Sequence, residues 1–135
     1  MTVYVDDANI QASVPNGGRI VTSRWCHLIA DTEDELHEFA ARLGMRRSWF
    51  QQPKGFGSLP LKPESRSAQN WHYDLTAPKR AQAVRMGAVQ VTSREMSAII
   101  DARHALRFPE AAAEYQRRRA ESVAKWEAIR AEAQR

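Results

Sequence analysis

The stretch that most constrains the fold runs from residue 71 to 92, WHYDLTAPKRAQAVRMGAVQVT, and reads as strand, helix and strand. Its aromatic start suits an extended segment, and the VQV run near its end alternates as a short strand does. Thr76 is placed to cap the helix, Pro78 lies in the first turn, and Gly87 is placed to end it in a left-handed conformation. The stretch therefore predicts a βαβ unit, with its two strands paired in parallel and a right-handed crossover.

The first half of the chain offers a second set of such elements. TVYVDD at residues 2–7 predicts a strand that ends in two carboxylates, and WCHLIA at residues 25–30 has the length of a second strand. Residues 14–24 contain Pro, Asn and two Gly, which favours a loop or hairpin tip. SWF at residues 48–50 suggests another short strand. Apolar residues at helical spacing, with a Thr32–Glu35 capping box before them, predict a helix that ends at Gly44.

The C-terminal part is helical by its pattern. Residues 93–108 predict a helix with a Thr92–Glu95 capping box, and Pro109 breaks it. Residues 110–135 predict a long final helix with a thin apolar stripe, which packs on the domain, pairs with a second subunit in a homodimer, or protrudes. We expect one α/β domain over residues 1–108, with a small mainly parallel sheet flanked by helices, and a helical extension over residues 109–135. The stripe consists of Tyr115, Val123, Trp126 and Ile129.

Composition limits the class of protein. The chain has 135 residues, which suits one domain with a modest core. No apolar run approaches the roughly 18 residues that a membrane span needs, so no membrane partner is expected. The N-terminal residues lack the basic and apolar regions of a signal peptide. A single cysteine, Cys26, excludes an internal disulfide and fits a reducing cytoplasm.

Positive charge is concentrated in the middle of the chain. The net charge is +4, and residues 42–66 carry six basic residues and one acidic residue. Residues 51–70 form a Pro- and Gly-rich basic loop that is long for a connection, and we interpret it as a flap over a site. The basic residues form either a solvated surface or a surface that binds the phosphates of a nucleic acid or nucleotide. Substrate contacts are predicted for Arg46 and Arg47, and also for His27, Lys79 and Arg80.

Acidic and imidazole side chains fall at the ends of the predicted elements. Asp6, Asp31 and Asp74 are the predicted metal ligands, and His72 or His37 would orient or protonate a phosphate. His72 and Asp74 are two residues apart, so they point to the same side of an extended segment. A ligand set dominated by carboxylates favours Mg²⁺ or Mn²⁺ over Zn²⁺, and such an ion polarises a phosphoryl oxygen and activates water.

Structural roles compete with this interpretation. Helix capping alone explains Asp31 and Glu35 and is an alternative role for Asp74, and a histidine beside an apolar face is often a hydrogen-bonded core residue. A Cys26–His27 nucleophile pair is excluded on a strand, because adjacent side chains point to opposite faces.

VYVDD, HLIADTEDELHEFAARLG, RRSWFQ, HYDLTAPKRAQAVRMGA and VQVTSRE together resemble domain-of-unknown-function family 4031, small proteins of bacteria and their phages. The resemblance covers roughly residues 2–97 and implies no activity. The insert at residues 53–70 and the helix from residue 110 onward depart from the family pattern.

A second resemblance is to the PIN-like and NYN-like nucleases, carried by an early strand ending in Asp6 and by Asp74 before a helix, a Gly-Ala pair and a Val-x-Val-Thr strand. It implies acidic residues that hold Mg²⁺ or Mn²⁺ for hydrolysis of RNA or DNA. Arg94 and Glu95 stand where that pattern has another acidic residue.

Three hypotheses follow for function. The first is a metal-dependent phosphodiester hydrolase that acts on nucleic acid or a nucleotide. The second is a non-catalytic, phage- or defence-related protein that binds a nucleotide or a host protein. The third is a structural protein that assembles through residues 110–135. Only the first requires Asp6 and Asp74 to lie on the same side of the domain.

Overall fold

The computed structural model describes residues 2–16, 18–55 and 59–135, and these form a sheet with helices on both faces. Its strands are β1 (Val3–Val5), β2 (Ile10–Asn16), β3 (Arg19–Ala30), β4 (Tyr73–Thr76) and β5 (Val89–Gln90). Its helices are α1 (Glu33–Arg42), α2 (Ala77–Arg85), α3 (Ser93–Arg107) and α4 (Pro109–Ala133). Two short 3₁₀ turns, Arg47–Trp49 and Ser67–Gln69, lie between α1 and β4.

The long strand β3 organises the sheet, because three other strands pair with it in antiparallel fashion. Its first half forms a hairpin with β2, and its last three residues pair with β1. On the opposite edge it pairs with β4, in the register that sets Trp25 against Thr76 and Leu28 against Tyr73. Strand β5 adds to the outer edge of β1, with Tyr4 beside Val89.

The prediction of a mainly parallel sheet is wrong: the sheet is mixed, and among the described strands only β1 and β5 pair in parallel. Strands β4 and β5 run in the same direction, as the βαβ pattern predicted. They are not neighbours, however, because β3 and β1 lie between them. The reason is strand β3, which runs against the others and separates β4 from β1. Its residues 25–30 were predicted as a strand, whereas the described part of residues 14–24, predicted as a loop or hairpin tip, belongs to the β2–β3 hairpin.

Alternation along the strands divides the core into two layers. One set of side chains, including Val5, Leu28 and Tyr73, packs against α1 and α2. The opposite set includes Tyr4 and Ile29 and packs against α3. This arrangement matters for the site, because residues 27, 72 and 74 share the face of Ile29.

The helix boundaries follow the signals in the sequence. Thr92 and Glu95 form the complete capping box of α3, whereas Thr32 accepts a hydrogen bond from the Glu35 backbone without the reciprocal bond. Gly44 and Gly87 adopt positive φ angles of 80° and 104° after α1 and α2, which only glycine adopts cheaply. Helix α4 packs on α3 through its first turns, where Ala112 is buried, and its later turns are exposed.

Two predicted strands differ from the observed structure. Residues 48–50 do not form a strand; residues 47–49 form a 3₁₀ turn instead, and Gln51 makes an isolated bridge to His72. Strand β4 begins at Tyr73 rather than at residue 71. The basic loop at residues 51–70 includes three residues outside the described ranges. No helix among the described residues combines the length and apolarity needed to cross a membrane.

Candidate metal centre

A row of polar side chains crosses three neighbouring strands on one face of the sheet. Asp6 follows β1, His27 lies in β3 and Asp74 lies in β4. His27 and Asp74 are directly opposed across the β3–β4 ladder, and the Asp6 backbone N–H donates to the His27 carbonyl. Opposed residues project to the same face, so the three side chains meet. His72 joins them because it precedes Asp74 by two residues.

The Asp6 carboxylate orients His27 through two hydrogen bonds. The His27 backbone N–H donates to Asp6 Oδ1 at 2.8 Å, and the His27 ring Nδ1 lies 2.7 Å from Asp6 Oδ2. A carboxylate only accepts, so Nδ1 carries the proton and the neutral ring keeps a lone pair on Nε2. Burial alone would raise the pKa of the Asp6 carboxyl, but the two hydrogen bonds from His27 hold that pKa below its usual value. The hydrogen bond between the His27 ring and the Asp6 carboxylate raises the pKa of His27, although burial acts to lower that pKa.

His72 is held in the same way by a backbone carbonyl. Its Nδ1 lies 2.9 Å from the Asn70 carbonyl oxygen and must donate to it. Its Nε2 lies 3.3 Å from Asp74 Oδ1. In the neutral ring this contact would set a lone pair against a carboxylate oxygen. A positive charge between the two atoms, either a proton or a metal ion, is needed to make it favourable.

Together, His27, His72 and Asp74 form a three-residue cluster whose ligand atoms lie within 4.8 Å of one another. The two imidazole rings are 4.9 Å apart and meet edge to face. Two ligands held about 2.1 Å from a tetrahedral zinc ion are themselves about 3.4 Å apart, close to the His72–Asp74 separation. Both histidines have the second hydrogen bond that metal-binding histidines almost always make. The residues therefore fit a divalent metal ion.

A cavity of about 220 Å³ adjoins this cluster, and Asp74 contributes to both. Its wall is formed by β3, the end of the β2–β3 hairpin, the 3₁₀ turn after α1 and the start of α2. Two tryptophans and several neutral polar side chains line it, so it combines aromatic surface with hydrogen-bonding groups. The lining residues are Pro15, Val21, Trp25, Met45, Ser48, Trp49, Gln51, Asp74, Thr76 and Lys79.

Two predicted site residues lie elsewhere. Asp31 is at the far end of β1, where its carboxylate accepts from the Thr2 backbone N–H and the Tyr4 hydroxyl. It lies four positions beyond His27 in the sequence, which in an extended chain is a distance of about 13 Å. His37 projects from α1 onto the other face of the sheet, where its Nδ1 is 2.8 Å from the Tyr73 hydroxyl. Burial and the nearby Arg47 lower the pKa of His37.

The predicted substrate-binding cations have mixed positions. Lys79 lines the cavity and donates to the Leu43 carbonyl at the end of α1. The Arg46 guanidinium lies over the ring of Trp49, a cavity residue, while Arg47 lies over Phe50 near His37. Arg80 donates to the Asp6 carbonyl and to the Gln90 side chain, and so ties α2 to the ends of β1 and β5.

The sequence predicted Asp6 as a metal ligand and His27 as a substrate contact. In the structure the Asp6 carboxylate is hydrogen-bonded to the His27 ring and backbone, and His27 lies in the cluster with His72 and Asp74. Sequence reasoning did not identify the cavity residues Trp25, Trp49 and Gln51. The RRSWFQ run carried a signal for two of them, since it places an aromatic pair and an amide beside basic residues.

Comparison with known proteins gives a family and no activity. The family model described as "Protein of unknown function (DUF4031)" matches residues 3–103, which include the cluster of His27, His72 and Asp74 and the adjoining cavity. No curated protein and no solved structure matches the chain.

Proposed function

The chain belongs to the DUF4031 family, and we propose that it is a metal-dependent phosphodiester hydrolase acting on a nucleotide or nucleic acid. The observation that carries the proposal is the convergence of the His27 and His72 rings on Asp74, with each Nδ1 already bonded to an acceptor. That arrangement leaves two imidazole nitrogens and one carboxylate as neighbouring metal ligands.

The ligand set bears on which metal binds. Two imidazoles and one carboxylate suit Zn²⁺ or Mn²⁺ better than Mg²⁺, which takes oxygen ligands. The preference for Mg²⁺ or Mn²⁺ depended on three carboxylate ligands. Asp31 is remote from the cluster and Asp6 is hydrogen-bonded to His27. Asp74 is therefore the one carboxylate of these three in the proposed ligand set. We therefore propose Zn²⁺ or Mn²⁺.

The exposure of the cluster supports catalysis rather than a structural metal. The side chain of His27 is 31% exposed and that of Asp74 is 25% exposed, whereas Asp6 behind them is 3% exposed. Three protein ligands leave coordination positions for water and substrate, as in catalytic zinc sites. A metal bound there would polarise a phosphoryl oxygen and lower the pKa of bound water.

The protein's own groups would position the reactants. Asp6 fixes the orientation and tautomer of His27, and the Asn70 carbonyl does the same for His72. Lys79, in the cavity wall, and Arg46, beside Trp49, place positive charge near the cluster, which favours the approach of a phosphate. Neither cation needs to enter the cluster for this effect.

Metal binding is tested by thermal unfolding of the metal-stripped protein with and without Zn²⁺, Mn²⁺ or Mg²⁺. An ion at 100 times its dissociation constant stabilises by about 2.7 kcal/mol, a shift of several degrees for a domain of this size. Asp74→Asn and His72→Gln should abolish the shift. The matched control is Asp31→Asn, which removes a carboxylate outside the cluster and should keep the shift at full size.

Activity is tested on bis(p-nitrophenyl) phosphate and on dinucleotides with the metal-loaded protein. Hydrolysis should require the metal, stop on addition of EDTA and be lost in Asp74→Asn. Hydrolysis that persists in EDTA would contradict the metal-dependent mechanism. A protein that binds no ion and hydrolyses no diester would favour the non-catalytic binding protein.

A further inference from the structure

The cavity next to the metal cluster has two aromatic walls that are held in place. Trp25 lies on β3, and its indole N–H donates to the Ala12 carbonyl at 2.9 Å, which fixes the ring. Trp49 ends the 3₁₀ turn after α1, with the Arg46 guanidinium 5.8 Å from its ring centre. Both rings are only partly buried. Partly buried tryptophans with fixed rings, facing a cavity, are surfaces on which a planar ligand stacks.

The polar groups of the cavity are mostly neutral and include both donors and acceptors. Gln51 is one of the lining residues; two backbone hydrogen bonds to His72 position it, and it carries a side-chain amide. Ser48 and Thr76 add hydroxyl groups. An amide and hydroxyls next to aromatic rings match the edge of a nucleobase, which offers donors and acceptors in its plane.

The size of the cavity limits what it holds. At about 220 Å³ it is smaller than the roughly 300–1,000 Å³ typical of pockets for drug-sized ligands. It therefore admits one ring system rather than a base pair. A base within a duplex also presents no free face for stacking, so the ligand must be unpaired.

We infer that this cavity binds one unpaired nucleobase of the substrate, with Trp25 and Trp49 as stacking surfaces and Gln51, Ser48 and Thr76 on the base edge. The inference rests on the proposed function, because it names the part of the substrate that the protein recognises. Asp74 belongs to both the cavity and the cluster, so a nucleotide whose base lies in the cavity would have its sugar and phosphate next to the proposed metal ligands. The substrate class is then a nucleotide or a single strand, not a duplex.

The test is isothermal titration calorimetry of the metal-stripped protein with the four ribonucleosides, which carry no phosphate, and with ribose 5-phosphate. At least one nucleoside should bind, and ribose 5-phosphate should not. Trp49→Ala should weaken nucleoside binding about tenfold or more, as expected for the loss of one stacking ring. Trp126→Ala is the matched control, because Trp126 is exposed on α4, and its binding should equal that of the unaltered protein.

A second variant guards against misfolding of Trp49→Ala. Ser48 is exposed, so Ser48→Tyr should fold normally while its ring occupies the cavity, and it should also abolish nucleoside binding. The inference is overturned if no nucleoside binds at any soluble concentration, or if Ser48→Tyr binds as well as the unaltered protein. Because no metal is present, failure of nucleoside binding is distinguishable from failure of the proposed function, which fails if metals neither bind nor support hydrolysis.

Discussion

The Asp6 carboxylate binds His27 twice, at the ring Nδ1 and at the backbone N–H, and therefore fixes both the strand and the ring. Asp6 follows β1 and His27 lies in β3, so this pair links two strands at the edge of the candidate metal site. Both hydrogen bonds leave the His27 Nε2 free of Asp6, and at the proposed metal site Asp6 would orient His27.

Asp6→Asn should weaken metal binding by about 10- to 100-fold, the usual effect of removing the partner of a metal-binding histidine. The amide keeps the shape of the carboxylate but loses its charge. Competition with a chromophoric chelator measures the affinity. Asp7→Asn is the matched control, since Asp7 accepts from Ser93 at the start of α3 and should leave the affinity unchanged. Equal affinities for the Asp6 variant and the unaltered protein would contradict this role.

Cys26 should resist modification in the folded protein. Its thiol is buried on the opposite face from His27, and burial, reinforced by Asp6, raises its pKa to about 12. Only a minute fraction is thiolate at pH 8, and the thiolate is the reactive form. Mass spectrometry after iodoacetamide treatment should show alkylation in guanidinium chloride and very little in buffer. Rapid labelling of the native protein would show that this face of β3 opens readily.

Arg103 should contribute strongly to stability. Its guanidinium donates to the Gln69 and Ala30 carbonyls at 2.7 and 2.6 Å and lies 3.4 Å from the centre of the Trp71 ring. Arg103→Ala would leave two carbonyls without their donor and open a void beside the indole, so we expect a loss of about 3 kcal/mol.

Arg103→Lys should recover only part of that loss, because an ammonium cannot reach both carbonyls while stacking on a ring. Urea unfolding measures both variants. Arg118→Ala, an exposed change on α4, should stay within about 0.5 kcal/mol of the unaltered protein. A change equally small for Arg103→Ala would mean that water replaces the guanidinium at low cost.

The homodimer through α4 stays a prediction with a direct test. Val123, Trp126 and Ile129 are each about half exposed or more, at 50%, 61% and 48%. Val123→Glu combined with Trp126→Glu should convert a dimer to a monomer in sedimentation equilibrium by removing apolar contact area and adding charge. The double variant should have the same unfolding temperature as the unaltered protein at a concentration low enough for the dimer to dissociate. Identical masses for both chains would exclude this interface.

Local signals in the sequence predicted the helices well, and the strand pairing poorly. Caps at Thr32 and Thr92 and the glycines at 44 and 87 act within a few residues, so their effects are readable from the chain. Strand pairing depends on segments that are far apart in the sequence, so local signals do not determine it. Residues 14–24 contain Pro, Asn and Gly and were interpreted as a loop or hairpin tip, whereas the paired strands of the largely exposed β2–β3 hairpin extend beyond that segment on both sides.

The site was predictable in part for the same reason. His72 and Asp74 could be placed on one side of an extended segment because their spacing alone decides it. The partnership of Asp6 with His27, and of His27 with Asp74, depends on the β1–β3 and β3–β4 registers. Without those registers, Asp31 and His37 were as plausible as site residues as His27. In the structure Asp31 lies at the other end of β1, and His37 lies on the other face of the sheet.

The length of β3 has a consequence for how this chain can vary. Successive side chains of a strand point to opposite faces. One residue inserted between the hairpin and Cys26 would shift only the exposed β2–β3 hairpin. One residue inserted between Cys26 and Ala30 would instead shift the pairing of β3 with β1 and β4 by one position. The thiol would then face Asp74, and the imidazole would be buried against α1 and α2. Within β3, insertions should therefore be tolerated less between Cys26 and Ala30 than in the exposed hairpin before Trp25.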